Sequence, residues 1–562
     1  MRKYLLTFIL FILPVVFASS LELFELSHPV YDAMEILYVS EGKASPMGAK
    51  PWTHEDVEML LASLKPESEQ GKALALDIYD YIRDPEDDLF FKAGIDVSAL
   101  LRSNASLTGR KYIPSASTLD SQILKAGLGY RYHDLMALYI DASVGVPISD
   151  LIAFPTGETT VKESVGQRLN SRFVSNIPFL PDSFSITCFP YNAYMTIGYG
   201  GLRLVSGRGQ LEWGNGVMGN MVLGNTLPYH DQLSLTFSGT DSFRYQLLAS
   251  FFSHSEVFKN GTDDRKPLNG IRMFFGHRFE FSLLKGKLFI AVNDSVMYQS
   301  AENYLDPRIL NPLFFLHNGF MAGNANSLFS LETEYSPCRG LSLYLQFAID
   351  DYAVAGEPRP GEKGGSADGL GLMLGLRFSD PVSVKGYFHG GIEAVYTTPY
   401  MYHRAMEYDS SYGRELYFVS SLRQMSAPGQ SFCQRYLSFP FGADAVSCLL
   451  SAGYTEIGRY SLKGNAFFMA HGVIDEFSSI RQYEGGEKIT YAPSTSNPLG
   501  SGEDKGGVIE YILTLGAEAE YRLCELMPVS VGLDLILVWN KGNYPAPISA
   551  DLQFNIGFSV NY

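Results

Sequence analysis

Residues 198–239 carry several side chains that suit ligand binding. Arg208 presents a fork of N–H donors that fits a carboxylate or a phosphate, and the ring of Trp213 offers an apolar face for a sugar. The Gly-Asn-Gly run at 214–216 would let a ligand or a second segment approach the backbone closely. The structural alternative is a loop folded inward and held by an Arg208–Glu212 ion pair.

No pattern in the sequence predicts catalysis. His230 and Asp231 are adjacent, as are His254 and Ser255, and adjacent residues of a strand point to opposite faces. Neither pair can therefore form a hydrogen-bonded dyad while the chain is extended, and we interpret both as polar turn residues. The acidic pair at 263–264 lacks the several oxygen ligands that Ca²⁺ requires. The sequence predicts no catalytic residue, no metal site and no cofactor.

The first eighteen residues have the pattern of a cleavable secretory signal. Arg2 and Lys3 precede an uncharged run of about 14 residues, shorter than the roughly 20 that a membrane-spanning helix needs. Val16 and Ala18 suit the positions before a peptidase cut. We therefore predict a signal peptide over residues 1–18.

The composition favours a membrane β-barrel. No later segment is apolar for the length of a transmembrane helix, yet 46% of the residues are hydrophobic, and a barrel places such residues at every second position. The 35 tyrosines and 37 phenylalanines suit the aromatic girdles of such a barrel. A net charge of −17 argues against nucleic acid as a partner. Cys433 and Cys448 are candidates for one loop disulfide; the alternative is that all five cysteines are reduced or scattered.

Residues 19–87 have helical rather than strand periodicity, and we interpret them as a small periplasmic helical module. The predicted helices run from 29 to about 38, from 55 to 64 and from 68 to 83. Thr53 is the predicted cap of the second helix. The apolar face of the third consists of Leu74, Ile78, Tyr81 and Ile82.

Residues 88–562 change to a period of two, which predicts an outer-membrane β-barrel. The last strand alternates without a break, with six apolar or aromatic residues at even positions from 552 to Tyr562. Such a terminal strand resembles the signal that barrel-assembly machinery reads by strand addition. About 470 residues, at roughly 25 per strand and connection, give about 18 antiparallel strands. Four long stretches, 255–268, 352–369, 404–447 and 475–507, lack a strand pattern and are predicted to be surface or lumenal loops.

Three stretches resemble the Wzi-type capsule assembly proteins. The residues that carry the likeness are Gly207-Arg208, Trp213 to Gly216, Gly219-Asn220 and Leu227-Pro228 in the central motif; His277-Arg278-Phe279, Asp306 and Leu310-Asn311-Pro312 in the following strands; and His28-Pro29 with Pro51-Trp52-Thr53 near the N-terminus. The resemblance implies a large outer-membrane barrel with an N-terminal helical bundle at its periplasmic side. It also implies a role in holding exopolysaccharide at the cell surface without catalysis.

We therefore expect a bacterial outer-membrane protein that contacts membrane lipid and surface polysaccharide. Arg208, Glu212, Trp213 and Arg278 are predicted to form one lumenal polar cluster that binds the glycan. One alternative is a porin-like diffusion channel with the same cluster as its constriction. Another is an adhesin or interaction scaffold that uses the loops at 404–447 and 475–507.

Overall fold

A computed structural model gives the fold of the chain. It describes residues 20–82, 88–104, 107, 120–147, 192–227, 229–240, 242–252, 271–300, 304–311, 325–353, 355–404, 416–426, 429–476, 478, 480–500, 506–524 and 527–561. The predicted signal peptide, the pairs at 254–255 and 263–264, and the terminal Tyr562 lie outside these residues.

Three helices precede the barrel strands in the described part of the chain: α1 (Val30–Ser40), α2 (His54–Leu64) and α3 (Glu69–Ile82). They agree with the predicted helices to within two residues at each end. Thr53 caps α2 as predicted, since its hydroxyl accepts from the Asp56 amide at 3.1 Å while the Asp56 carboxylate accepts from the Thr53 amide at 2.9 Å. The predicted apolar face of α3 is buried except at Tyr81, which is 52% exposed and contacts the ring of His28 instead.

The described strands are β1 (Ala49–Lys50), β2 (Leu89–Arg102), β3 (Asp120–Tyr132), β4 (Met136–Pro147), β5 (Ala193–Tyr199), β6 (Leu202–Gly209), β7 (Glu212–Trp213), β8 (His230–Thr240), β9 (Phe243–Phe251), β10 (Ile271–Leu283), β11 (Leu288–Ser300), β12 (Ala325–Cys338), β13 (Leu341–Asp351), β14 (Gly369–Pro381), β15 (Gly386–Thr397), β16 (Val419–Ser426), β17 (Gly429–Tyr436), β18 (Ala445–Glu456), β19 (Tyr460–His471), β20 (Glu510–Arg522), β21 (Pro528–Trp539) and β22 (Ser549–Asn561).

Eighteen of these strands form a closed antiparallel barrel, as the strand arithmetic predicted. Each barrel strand pairs with the next barrel strand along the chain, and β22 pairs with β2 to close the wall. The remaining four described strands form two small pairs, β1 with β7 and β16 with β17. The β16–β17 hairpin lies in the stretch 404–447, which we had predicted to lack strands.

The alternation of side chains gives the wall one apolar and one mixed face. On β22, Leu552, Phe554 and Ile556 point outward and are 38–51% exposed, whereas Asp551 and Gln553 point into the lumen and are buried. No helix in the described ranges has the length and apolarity to cross a membrane. The exposed apolar residues on the outer face of the strands form a surface that suits lipid.

The helices lie at the end of the barrel where the turns are short. The Gly340 amide in the turn between β12 and β13 donates to the Val39 carbonyl at 2.8 Å. At the next short turn around the barrel, between β14 and β15, Lys385 forms an ion pair with Asp77 of α3 at 2.9 Å. The long connections, including 210–229 and 398–444, leave the opposite end of the barrel, which we term the loop end.

The described parts of the connections 210–229 and 398–444 fold into the lumen and form an apolar core with the wall. They contribute Trp213, Met221, Leu223, Tyr402, Phe418, Leu437 and Phe439. From the wall, β9 to β15 contribute Leu248, Phe274, Met297, Leu328, Tyr344, Met373 and Val395, and β18 to β21 contribute Leu449, Phe467, Ile512 and Ile536. The lumen at this level is thus filled along the wall from β9 to β21.

A buried ion pair joins α2 to the wall. The Arg203 guanidinium of β6 donates to the Asp56 carboxylate at 2.5 Å and to the Thr53 hydroxyl at 2.8 Å, and Arg244 of β9 lies 3.7 Å from the same carboxylate. Burial alone would raise the pKa of Asp56, but the two guanidinium groups and the Thr53 amide outweigh it and hold the pKa below its usual value. Asp56 is therefore an ionised anchor for the helices.

Replacing Asp56 with asparagine should loosen the helices, because it removes the carboxylate that pairs with the buried Arg203 and Arg244. Breaking a buried ion pair in this way destabilises a structure by about 3–5 kcal/mol. Because the native pKa is depressed, the wild-type contribution is present above the unfolded pKa near 3.8 and is lost as the pH falls through the lower native value. Hydrogen exchange of the α2 amides in the full chain measures both effects. Asp80→Asn on the exposed face of α3 is the control and should exchange like the wild type.

Candidate functional site

Arg278 of β10 is fully buried in the lumen and is paired on all sides by wall residues. Its guanidinium donates to Glu280 at 2.7 Å, to both carboxylate oxygens of Glu332 at 2.7 and 3.0 Å, and to Asn293 at 2.9 Å. Its remaining face lies 5.9 Å from the ring of Trp213. The guanidinium therefore has no free fork for an anionic ligand.

The same network holds the segment that follows α1. The Glu280 carboxylate accepts the amides of Gly48 and Ala49, each at 3.0 Å. Ala49 and Lys50 then pair as strand β1 with β7, with Ala49 opposite Trp213. A Cβ at Gly48 would overlap the Arg278 guanidinium, so this position needs glycine for its close approach rather than for its backbone angles.

Glu212 and Trp213 form β7 and are both buried. Glu212 accepts from the Asn220 side chain at 2.8 Å and lies 3.4 Å from the Lys50 ammonium. Trp213 is 0% exposed and packs edge to face on Phe274 with ring centroids 6.0 Å apart. The ring has no accessible face for a sugar. The Arg208–Glu212 ion pair of the structural alternative does not form, since Glu212 binds Asn220 and Lys50 instead.

Arg208 lies on the other side of the wall from this cluster, so the prediction of one lumenal group of four was wrong. On β6 the lumenal positions are odd, as the buried Arg203 and Val205 show, and Arg208 shares the outward face with the exposed Leu202. Its strand neighbour Asp231 on β8 also points outward, beside the 46% exposed Leu233. The single-residue alternation of a strand places side chains of opposite parity on opposite faces.

Arg208 and Asp231 form a bidentate ion pair at the loop-end rim of the barrel. The two N–H···O distances are 2.7 and 2.9 Å, and the side chains are 25% and 49% exposed. The guanidinium also stacks on the ring of Tyr229, with its carbon 3.9 Å from the ring centroid. The pair is held in one geometry, and both side chains keep part of their area exposed.

The pair faces an open concavity of about 560 Å³ on the outer surface. Arg208, Asp231, Gln232, Ser206, Ala193 and Phe251 line it. Phe251 points outward and is 45% exposed. Sequence reasoning found Arg208 and missed the other members, because they come from four different strands that only the register brings together.

His230 and Asp231 begin β8 rather than forming a turn, which corrects our interpretation of them. His230 points into the lumen and is 1% exposed, with its ring nitrogen 2.9 Å from the Ser250 hydroxyl, while Asp231 points outward. The prediction that the two cannot form a dyad is confirmed. Cys448 on β18 is a free thiol, so the candidate disulfide with Cys433 is not formed.

A second outward Arg–Asp pair lies on the same half of the barrel. The short helical turn Pro307–Leu310 folds back onto the outer face of β10 and β11, where Ile309 is fully buried and its carbonyl lies 3.0 Å from the His277 ring nitrogen. Arg308 in this turn is bidentate to Asp306, with an exposed guanidinium. It resembles the Arg208 pair in chemistry but is not among the residues that line the concavity.

No family model matches this chain, and no curated protein matches its sequence. Among solved structures, Wzi of Escherichia coli has a TM-score of 0.59 at 11% identity and covers 96% of this chain and 99% of its own. Wzi is described as an outer membrane protein involved in group 1 capsule assembly and a carbohydrate-binding β-barrel. OprD of Pseudomonas aeruginosa has a TM-score of 0.40 at 9% identity, covering 84% of this chain and 95% of its own. OmpT of Vibrio cholerae has a TM-score of 0.30 at 8% identity, covering 84% and 99%.

The likeness to Wzi is one of fold. This chain has the fold of an outer-membrane β-barrel.

Gly48→Ala tests the lumenal network. The added methyl group overlaps the Arg278 guanidinium, and such overpacking costs about 1–3 kcal/mol. Hydrogen exchange of the amides of residues 45–50 should become faster while the barrel stays folded. Gly464→Ala on β19 is the matched control, since its Cβ would have no heavy atom nearer than 3.9 Å. Equal exchange in both variants would contradict the role of Gly48.

Proposed function

We propose that this chain is a non-catalytic outer-membrane protein that binds surface carbohydrate and takes part in capsule or exopolysaccharide assembly or retention. In this proposal residues 1–18 are a signal peptide, residues 19–87 form a periplasmic module, and the barrel-assembly machinery reads the strand that ends at Tyr562. The observation that carries the binding proposal is the outward concavity at the loop end, with the Arg208–Asp231 pair in it.

The chemistry of the concavity suits a sugar. The carboxylate of Asp231 accepts hydrogen bonds from hydroxyl groups, and the guanidinium of Arg208 donates to them. The exposed ring of Phe251 offers a flat apolar surface for the C–H face of a pyranose. The described binding of carbohydrate by Wzi, a barrel of the same fold, adds support to this assignment.

In this proposal the three lumenal residues of the predicted cluster stabilise the fold and do not bind the glycan. Glu212, Trp213 and Arg278 are buried and hold the segment 45–50 and the inward connection together. The scaffold alternative relied on the loops at 404–447 and 475–507. In the first loop, Phe418, Leu437 and Phe439 pack into the lumenal core. In the second, Ile480, Tyr483 and Leu499 form a separate buried cluster, and the Ser494 amide donates to the Asp444 carboxylate at 2.8 Å, while Tyr491 is 71% exposed.

Arg208→Ala should weaken binding of surface polysaccharide from the source cells by about tenfold, because charge-assisted hydrogen bonds contribute about 1.5–3 kcal/mol each. Asp231→Ala should do the same, since either change breaks the pair. Surface plasmon resonance of the polysaccharide on folded protein in detergent measures this loss of affinity.

Arg308→Ala is the matched control for this experiment, because it removes an exposed guanidinium of a similar pair outside the concavity. Heat-modifiable gel mobility confirms that all variants keep the barrel. If Arg208→Ala and Arg308→Ala lose binding equally, or neither does, the assignment of the concavity fails.

The filled lumen argues against the diffusion-channel alternative. Asp96 and Glu518 in the lumen are exposed, so water reaches this part of the wall. Toward the loop end of the same sector, Ile512, Ile536 and Gln553 are buried. On β20, β21 and β22, the water-accessible part of the lumen is therefore bounded by buried side chains toward the loop end.

The purified protein should accordingly give no porin-like conductance steps in planar bilayers. The physical reason is that, among the residues that the structure describes, packed apolar side chains fill the lumen beside the wall from β9 to β21. OprD reconstituted in the same bilayers serves as the positive control for insertion. Regular open-pore steps from the wild-type protein would support the channel alternative instead.

A further inference from the structure

We propose that a groove across the outer face of β18 to β21 binds one acyl chain of a phospholipid whose headgroup lies at the short-turn end of the barrel. The inference is independent of the sugar site and rests only on the membrane location in the proposed function. It follows from the register and the outward side chains of four neighbouring strands, all of which the structure describes from end to end.

The floor of the groove is a row of three small residues on adjacent strands. Ala452 of β18 pairs with Gly464 of β19, and Gly464 pairs with Ala517 of β20. Each lies two residues from an outward leucine of its own strand, so all three share the outer face. These leucines are Leu450, Leu462 and Leu515, which are 55%, 50% and 44% exposed.

Larger side chains border this floor and make it concave. The concavity has a volume of about 550 Å³, and its apolar or aromatic borders are Phe388, Tyr454, Leu462, Val531 and Leu533. Leu533 pairs with Ala517 and closes the row on β21. Lys463 and Glu518 also line it, but their parity is that of the lumen, where the Lys463 ammonium lies 2.8 Å from Asp32. The outer groove is therefore shaped by small residues between apolar side chains.

The groove lies within the apolar part of the outer face, near its short-turn end. Three outward tyrosines mark that end: Tyr454 and Tyr460, with ring centroids 5.8 Å apart, and Tyr521, which is 48% exposed. Such rings form the interfacial girdle of membrane barrels. Ala452 is four residues from Glu456, the last residue of β18, which is ~13 Å along the strand and ~10 Å in height for a tilt of about 40°. An acyl chain anchored at the girdle can therefore reach the groove.

The turns below the groove offer charges of both signs to a headgroup. Arg459, between β18 and β19, is 62% exposed and lies 3.2 Å from Glu456. The Ile457 amide of this turn donates to the Lys385 carbonyl at 3.0 Å, which brings the 55% exposed Lys385 and its partner Asp77 to the same rim. A guanidinium suits phosphate and a carboxylate suits ammonium. The headgroup that matches is zwitterionic, as in phosphatidylethanolamine.

Packing is what would hold the chain in the groove. Between lipid and an apolar wall there is no hydrophobic driving force, so van der Waals contact decides which chains stay. A chain on a flat wall touches it on one side, whereas a chain in the groove contacts the floor and both borders. Because the row runs across tilted strands, it is inclined to the membrane plane, and a chain can follow it from the girdle toward the bilayer centre.

The experiment uses the full chain in nanodiscs of palmitoyl-oleoyl phosphatidylethanolamine, moved to mild detergent before native mass spectrometry counts the phospholipids that stay bound. We expect the wild type to retain one. Ala452→Leu/Ala517→Leu places two side chains in the groove and should lower the retained lipid about tenfold. Ala394→Leu is the matched control and should retain it, because Ala394 is an exposed outward alanine of β15 that does not line the concavity.

A diazirine on the acyl chain of the same phospholipid locates the contact, and we expect its photolabel on β18 to β21. Heat-modifiable gel mobility confirms that both variants keep the barrel. Equal retention by the wild type and the double variant would overturn the site, as would a photolabel confined to other strands. A wild-type dimer that the double variant loses would show a second copy of the chain in the groove instead of lipid. Failure of the wild type to enter nanodiscs would overturn the proposed membrane location as well, whereas binding of polysaccharide at Arg208 is measured separately.

Discussion

Pairing of charge inside the lumen is the constraint on which the rest of this structure depends. Arg278, Arg377 and Arg203 have side chains 0%, 4% and 9% exposed, and an uncompensated charge at such a position costs several kcal/mol. The wall supplies part of the compensation, as Glu332 does for Arg278. The N-terminal helices supply the rest, since Asp56 pairs with Arg203 and Glu35 lies 3.3 Å from Arg377. The barrel and the helices therefore complete one another electrostatically.

This pairing orders the neighbouring segments in sequence. Glu280, fixed by Arg278, holds the amides of Gly48 and Ala49, and that segment provides the edge on which β7 forms. Pairing of β7 with β1 places Trp213 in the lumen, where it packs against Phe274 as part of the apolar core. The interior of the barrel thus becomes a packed core with a polar network beneath it.

The division between lumen and outer face follows from this filling. Side chains that could bind a ligand in the lumen are already used by the fold, as the fully buried Arg278 and Trp213 demonstrate. The outer face has the opposite problem, because most of it must be apolar to meet lipid. A charged pair there is tolerable only near the headgroups and only if its charges cancel. Arg208 and Asp231 meet the second condition, since they pair with each other through two hydrogen bonds.

The sequence by itself determined the class of fold, because that information is local. Alternation along single strands, as at Leu552 to Tyr562, reports which residues face lipid, and the change of period near residue 88 separates helices from barrel. The Thr53 cap was likewise readable, since a capping box spans four residues. The sequence also shows that odd and even residues of β6 lie on opposite faces. Which of the two faces is the lumen is seen only in the closed barrel.

Only the tertiary structure decided the membership of the candidate site. Arg208 and Arg278 are both at even positions, but even positions face outward on β6 and into the lumen on β10. Arg208 therefore lies outside the barrel and Arg278 inside it. Asp231 and Phe251 reach Arg208 through the register of β6, β8 and β9, which depends on pairing between strands and not on composition. The filling of the lumen is equally non-local, because inward folding of a connection is settled by whether its apolar residues find partners across the barrel.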